Sequence, residues 1–186
     1  MTGVKVCIIA MLLTAFYLIT SVLVSNIFFY NNSTGSLIKL NKKTVGSKLI
    51  GQEFKNKIYF HGRPSLFNYN NSISGNSNFP FYSTKLRKTI IDNYNDHLKN
   101  NYNNKPDINL ISESGSGLDP DITYEGALSQ IDRIATNAGI KKEKLKELLE
   151  KKAKPHILGI FGKKIVNVLE LNLGLNEIYA KASRSR

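Results

Sequence analysis

Val6 to Val24 is a run of nineteen residues without charge, proline or glycine, followed after Ser25 and Asn26 by Ile27-Phe28-Phe29-Tyr30. A helix rises ~1.5 Å per residue, so ~20 apolar residues cross the hydrocarbon layer of a bilayer, where each backbone amide must find its partner inside the segment. The run therefore predicts a membrane helix over residues 6–30, preceded by a short tail over residues 1–5, with everything after Tyr30 held at a surface. A cleaved secretory signal is the competing reading, because Lys5 before an apolar run is also its grammar. Cleaved signals have apolar cores of ~7–15 residues and a small-x-small site. This run is longer and Leu23-Val24-Ser25 is a poor site, which favours a retained helix. Cys7, the sole cysteine, excludes an internal disulfide and reads as apolar filler within the span.

Charge leaves the orientation open. Lys5 precedes the helix, while Lys39, Lys42, Lys43 and Lys48 follow it, a bias toward a cytoplasmic C-terminal domain. Large domains nevertheless translocate with little regard to charge, and the first basic residue after Tyr30 is Lys39.

The roughly 155 residues beyond the helix suit one domain with an adequate core. A net charge of +12 raises nucleic acid or anionic lipid as partners. The distribution argues against both: the lysines are spread along the chain, no nucleic-acid-binding motif is present, and the densest block, Lys141 to Glu147, mixes signs as a solvated helix face does. The abundance of Asn, Lys, Ile and Tyr also fits a biased base composition.

The hydrophobic pattern gives an α+β fold: a single N-terminal transmembrane helix followed by one mixed α/β domain. Residues 31–36 read as a polar linker, and the domain as residues 37–186. Asn31, Asn32 and Asn70 match the glycosylation pattern, as an Asn-rich chain does by chance. Lys57 to His61 is β-prone, and Ile108 to Ile111 is a second short strand. Pro64 to Pro80 reads as a loop rich in Asn, Ser and Gly. Leu86, Ile90, Tyr94, Leu98 and Tyr102 mark an amphipathic helix that ends before Pro106. Thr123 caps a helix carrying Leu128, Ile131, Ile134, Ala135 and Ala138, closed by Gly139. Lys141 to Lys152 is another helix, with Leu145, Leu148 and Leu149 inward. Ile165 to Leu169 is a strand candidate, and Leu171 to Ala182 a final helix.

Chemistry is scarce. His61, His97 and His156 have neither helical metal-site spacing nor cysteine partners, so no metal site is expected. Ser114 to Gly117 lacks the Gly-Lys-Ser/Thr ending of a phosphate cradle, and Gly162-Lys163-Lys164 does not supply it. Asp119, Asp121 and Glu125 lack the spacing of a calcium loop and read instead as acidic residues at a capped helix start. No Ser/His/Asp or Cys/His set stands out, so no catalytic residue is assigned.

Several blocks, in order, carry a specific resemblance: Gly35-Ser36-Leu37-Ile38, Gly46-Ser47-x-Leu49-Ile50-Gly51-Gln52-x-Phe54, Tyr59-Phe60-His61-Gly62-Arg63-Pro64-Ser65, Ser74-Gly75-Asn76-Ser77-Asn78, Ser114 to Ile122, Gln130-x-x-Arg133-x-Ala135 and Val166 to Asn172. From about residue 35 to 176 the chain resembles the KdpC family, a component of the Kdp-type potassium-transporting P-type ATPase. It departs in lacking a Gly-x-Tyr-Pro-like kink at the end of the membrane helix, in Asn76, where the family has a second glycine, and in Phe79-Pro80-Phe81-Tyr82, where the family has an Asn-Pro turn.

The resemblance implies a cell-membrane protein with a short cytoplasmic N-terminus and its domain outside the cytoplasm. Its implied partners are the K⁺-selecting, channel-like KdpA, the ATP-hydrolysing KdpB, the small KdpF and membrane lipid. It further implies a non-catalytic role in stabilising the complex near the K⁺ entrance; the alternative is a catalytic chaperone that raises the ATP affinity of KdpB through a shared nucleotide. No cofactor is expected to bind tightly, and ATP would enter only through the complex. Ala127-Leu128-Ser129-Gln130 is weakly similar to a nucleotide-sensing signature, which makes Ser129 and Gln130 the nucleotide candidates. The structural or interface positions are Gly62, Arg63, Pro64, Ser65, Ser116, Gly117, Leu118, Asp119, Pro120, Gln130, Arg133, Asn167, Glu170 and Asn172. Of these, Gly62 to Ser65 reads as an architectural turn, with Arg63 offering forked donors to carbonyls or to a carboxylate such as Asp119.

Strand alternation through Val166 to Asn172 puts a polar group among apolar ones whichever face is buried. Asn167, Glu170 and Asn172 are therefore expected to bond loop backbone or another protein of the complex, or else to stop the strand and cap the next helix. A pilin-like assembly protein also begins with a long apolar helix, but needs a glutamate inside it, and this helix has no carboxylate.

Overall fold

The computed structural model describes residues 2–102, 104–155 and 162–184; His156 lies outside them. The apolar run forms one helix, α1 (Thr2–Phe28). Thr14, Thr20 and Ser21 donate to the carbonyls of Ala10, Phe16 and Leu18 at 2.8 Å, and the Asn26 amide to Val22 O at 2.9 Å. The few polar side chains of an apolar helix are thus satisfied within it, as a lipid environment demands. Gly3–Phe28 has a hydropathy of 2.5 and is long and apolar enough to cross a membrane.

A four-residue helix, α2 (Tyr30–Ser33), follows where a linker was expected. Next is a hairpin that the sequence reading missed, β1 (Leu37–Leu40) and β2 (Lys43–Ser47), paired antiparallel with Leu40 opposite Lys43. Its two connecting residues, Asn41 (φ 49°) and Lys42 (φ 66°), both take the left-handed conformation that matches hairpin twist. The chain divides into two compact units, residues 1–47 and 48–186. The hairpin therefore belongs with α1 and α2, where the sequence reading grouped it with the domain.

The second unit holds α3 (Thr84–Asn100), a 3₁₀ turn (Ile108–Leu110), β3 (Asp121–Thr123), α4 (Tyr124–Leu128), α5 (Ile131–Ala138), α6 (Lys142–Lys152), β4 (Ile165–Asn167) and α7 (Val168–Arg184). β3 and β4 pair antiparallel, Ile122 opposite Val166, so strands contribute little area and helices supply most of the core. Ile122, Ile131, Ile134, Leu145, Leu149, Val166, Leu171 and Leu175 form its centre, with Phe60 inserted from a loop.

Local capping explains the helix boundaries. Ser83 Oγ accepts from Leu86 N at the start of α3, and Thr123 Oγ1 from Gly126 N at the start of α4. Gly139, at φ +65°, closes α5 as expected. The helix expected between Thr123 and Gly139 breaks at Ser129-Gln130 into α4 and α5.

Three strand expectations are corrected. Lys57 to His61 is a turn leading into irregular chain, and among the described residues no strand pairs with it. Ile108 to Leu110 winds into a 3₁₀ turn, because Asp107 accepts from Asn109 N at 3.4 Å and offers the backbone a local alternative to a ladder. The third strand stops at Asn167 rather than Leu169: Asn167 Oδ1 accepts from Glu170 N at 3.1 Å, the geometry of a helix cap.

Candidate functional site

The Tyr59–Ser65 motif runs through the second unit without regular secondary structure, and side chains supply the partners of its backbone. Asn172 Oδ1 accepts from Phe60 N at 2.8 Å while its Nδ2 donates to Phe60 O at 2.9 Å. One residue on, Gln130 Oε1 accepts from His61 N at 2.8 Å and its Nε2 donates to His61 O at 3.1 Å. Each carboxamide presents one donor and one acceptor, as the backbone of a paired strand would. Arg133 extends the set: it donates to Gln130 Oε1 and Asn101 Oδ1, both at 2.8 Å, and to Lys57 O. Gln130, Arg133 and Asn172 are buried, so these bonds form away from water.

The next residues anchor to a second loop. Arg63 bridges Asp119 Oδ2 at 2.9 Å, Glu113 O at 3.0 Å and Asn109 O at 3.2 Å, using the fork of donors that lysine lacks. Pro64 O accepts from Ser114 N at 2.9 Å, Ser65 Oγ from Tyr69 N at 3.0 Å, and the Tyr69 hydroxyl closes onto Arg63 O. A Cβ on Gly62 would lie 2.5 Å from that hydroxyl.

Several amides of the Ser114–Pro120 loop are engaged within it. Leu118 N donates to Ser116 Oγ, Asp119 N to Ser114 Oγ, and Gly117 N to Ser114 O, leaving those amides unable to cradle a phosphate. Leu118 O accepts from Gly51 N at 2.7 Å and Pro120 O from Val168 N at 2.9 Å, which ties the loop to two distant motif blocks. Gly117 sits at φ +70° with Gly75 O 3.0 Å from where its Cβ would be, so both conformation and space require glycine.

Ser129 and Gln130, the nucleotide candidates, stand side by side, but their polar atoms face inward. Ser129 Oγ donates to Gly126 O at 2.8 Å, so its contact with His97 Nε2 at 3.1 Å has the imidazole as donor. Burial and the nearby Arg133 cation lower His61 to about 4, against its ordinary 6.5; burial, Arg133 and His61 together do the same to His97. Burial also pulls Arg133 down to about 10, which still leaves it charged at neutral pH. The two imidazoles are therefore neutral at pH 7, beside a buried guanidinium held by neutral oxygens. They line a polar cleft of about 200 Å³ between the His61–Pro64 segment and α3. Among the described residues no group of three His, Cys, Asp or Glu could hold a metal.

The C-terminal motif divides its labour. Asn167 caps α7 and donates through Nδ2 to Lys48 O at 2.9 Å. Glu170 pairs with Lys48 at 2.6 Å, and Asn172 makes the clamp on Phe60. Alternation does not apply, since α7 begins at Val168. Asn172 thus bonds loop backbone, and its buried carboxamide has no face left for another protein. Sequence reasoning missed Tyr69 and Asn101, which no motif marked, and left Ser114 out of the site residues although it opens the Ser114–Ile122 block.

These features define an α+β protein with one membrane-length helix whose motif residues hold one another rather than a reactive centre. The family model described as "K+-transporting ATPase, c chain" (KdpC) matches residues 1–177. The chain is 38% identical over 157 residues to the potassium-transporting ATPase KdpC subunit of Caldanaerobacter subterraneus subsp. tengcongensis, covering 83% of this chain and 81% of that one. It is 42% identical over 152 residues to the KdpC subunit of Bacillus mycoides and 41% identical to that of Bacillus anthracis, in both cases across 80% of this chain and 79% of the relative. The chain belongs to the KdpC family.

Two outcomes are expected. Asn172→Ala removes both partners of the buried Phe60 peptide groups, at ~1–3 kcal/mol each, and should lower the melting temperature of the full chain in detergent sharply. Glu170→Ala loses only a surface pair worth ~0–1 kcal/mol and should barely move it. Circular dichroism melting of both variants checks the contrast.

Acid should also destabilise the fold through the histidines. Both have folded values below their unfolded 6.5, so the unfolded chain binds more protons between pH 6.5 and about 4. Their contribution is complete above pH 6.5 and is lost as pH falls through that window. A His61→Gln/His97→Gln variant should show a flatter dependence of melting temperature on pH there than the parent; an equal slope would place the acid sensitivity on the carboxylates instead.

Proposed function

We propose that this chain is the non-catalytic member of an ATP-driven potassium-uptake complex. It crosses the cell membrane once with Lys5 inside and residues 37–186 outside, and it stabilises assembly of the K⁺-selecting KdpA with the ATP-hydrolysing KdpB, together with the small KdpF. The carrying observation is that the motif residues have their polar groups bonded inside the chain, which suits a rigid docking body and leaves no set of groups aimed at a substrate. The same observation weighs against a nucleotide role for Ser129 and Gln130: a nucleotide would have to displace the clamp on His61. A domain outside the membrane also has no direct access to cytoplasmic ATP.

Topology is checked by placing a cysteine at exposed Lys39 in a Cys7→Ala background. Lys39→Cys should react with an impermeant thiol reagent in intact cells; labelling only after lysis overturns the orientation.

Arg63→Lys separates assembly from turnover. Lysine cannot reach Asn109 O, Glu113 O and Asp119 together, so the variant should give a lower yield of co-purified complex while ATP turnover per assembled complex stays near that of the parent. Normal yield with lost turnover would assign Arg63 a mechanistic role and favour the chaperone reading.

A further inference from the structure

Just before α3 the chain displays its apolar side chains outward. Phe81 is 91% exposed, Tyr82 73% and Phe79 38%. The presentation is fixed. Ser83 N donates to Pro80 O at 2.9 Å, Ser83 caps α3, and the Phe81 and Tyr82 rings meet edge to face at 5.3 Å. A proline-braced turn that holds two aromatic rings against each other in water keeps apolar area exposed at a cost of ~25 cal/mol per Å².

Lys85 lies over the Phe79 ring at 6.0 Å, and exposed Arg87 and Lys88 follow on the first turns of α3. None of the three pairs with a carboxylate among the described residues, although seven other basic side chains do. The next acidic residue along the chain is Asp92.

We infer that the Phe79–Tyr82 turn, with Lys85, Arg87 and Lys88, docks onto the anionic headgroup layer of a bilayer. Aromatic side chains flanked by basic ones match the chemistry of the membrane–water interface, where rings settle at headgroup level and each Lys or Arg gains ~1 kcal/mol from anionic lipid. Phe, Tyr and Arg are also enriched at protein interfaces, but Lys is depleted there, so Lys85 and Lys88 are what favour a lipid surface over another protein. α1 tethers the domain to the bilayer, so the surface works at high effective concentration and need not be strong by itself. The inference rests on α1 spanning the membrane but not on the assembly role.

The test uses the full chain in nanodiscs of phosphatidylcholine, with or without phosphatidylglycerol. An environment-sensitive dye is attached at Tyr82→Cys in a Cys7→Ala background. With phosphatidylglycerol, the dye should be quenched by spin-labelled lipid and shielded from aqueous iodide; high salt should abolish both effects. Lys85→Gln/Arg87→Gln/Lys88→Gln should lower the ratio of docked to undocked protein on the order of a hundredfold, as the loss of three lipid-facing cations requires. These residues are exposed, so an unchanged melting curve shows that the triple variant is folded. A dye on native Cys7 reports the anchor separately: it should be lipid-quenched in every disc, and if it is not, α1 does not span. Lipid quenching at position 82 that ignores lipid charge and salt, or shielding from iodide that appears only when the other proteins of the complex are present, overturns the inference, the second outcome assigning the surface to a protein partner.

Discussion

Two buried carboxamides hold the second unit together. Asn172 and Gln130 clamp consecutive residues, Phe60 and His61, and so supply four backbone hydrogen bonds to a segment that pairs with no strand among the described residues. Orphaning those four groups would cost on the order of 4–12 kcal/mol, comparable with the ~5–15 kcal/mol that separates a folded domain from its unfolded chain. Hydrophobic burial alone could not hold the segment. Phe60 reaches the core because the peptide groups on either side of its ring are satisfied there. The clamps come from different elements, α7 and the start of α5, so the segment also fixes these helices relative to each other.

The two motif arginines illustrate opposite solutions for a guanidinium. Arg63, partly exposed, has a carboxylate in Asp119 and two carbonyls; its fork ties the Gly62–Ser65 turn to the loops at Asn109, Glu113 and Asp119. Arg133 is buried, and its hydrogen bonds go to neutral oxygens of Gln130, Asn101 and Lys57. Removing a buried cation from water is costly, and the downward pull on Arg133 expresses it. Burial above all, and after it the same charge, disfavours protonation of His61 and His97, so the polar cleft carries two neutral imidazoles. Electrostatics here fixes protonation states, and with them the hydrogen-bond directions that keep the cleft in shape.

Local features were legible in the sequence because local physics determines them. The uninterrupted apolar run gave α1, leucine spacing gave α6, and Thr123 and Gly139 marked helix ends by capping chemistry. Arg63 and Asp119 were also readable, since a guanidinium fixed beside a proline needs acceptors and an acidic loop offers them. Lys57 to His61 was not: its β-prone composition suits extended chain, but its partner is a side chain 112 residues away. Val166 to Asn172 misled for a related reason. β-branched residues suggested a strand and alternation, while the decisive event was Asn167 folding back onto Glu170 N to start a helix. The hairpin escaped notice because Asn41-Lys42 makes a left-handed turn without the glycine that advertises one.

The residues that make this chain recognisable are therefore mostly internal, and this separates fold from docking. A motif whose carboxamides, arginines and turn glycines bind one another specifies the shape of the body but presents few polar groups to another protein. α7 shows this at one position after another: Asn167 caps, Asn172 clamps Phe60, and Gly174 lies so close to α6 that a Cβ would sit 2.6 Å from Leu148 Cδ1. Each change there alters packing before it alters any surface. Exposed positions outside these blocks, such as the aromatic turn before α3, are free to carry contact with other proteins or with lipid. Such positions can change without disturbing the clamps, so a shared body can be fitted to different surroundings by substitutions that leave its interior untouched.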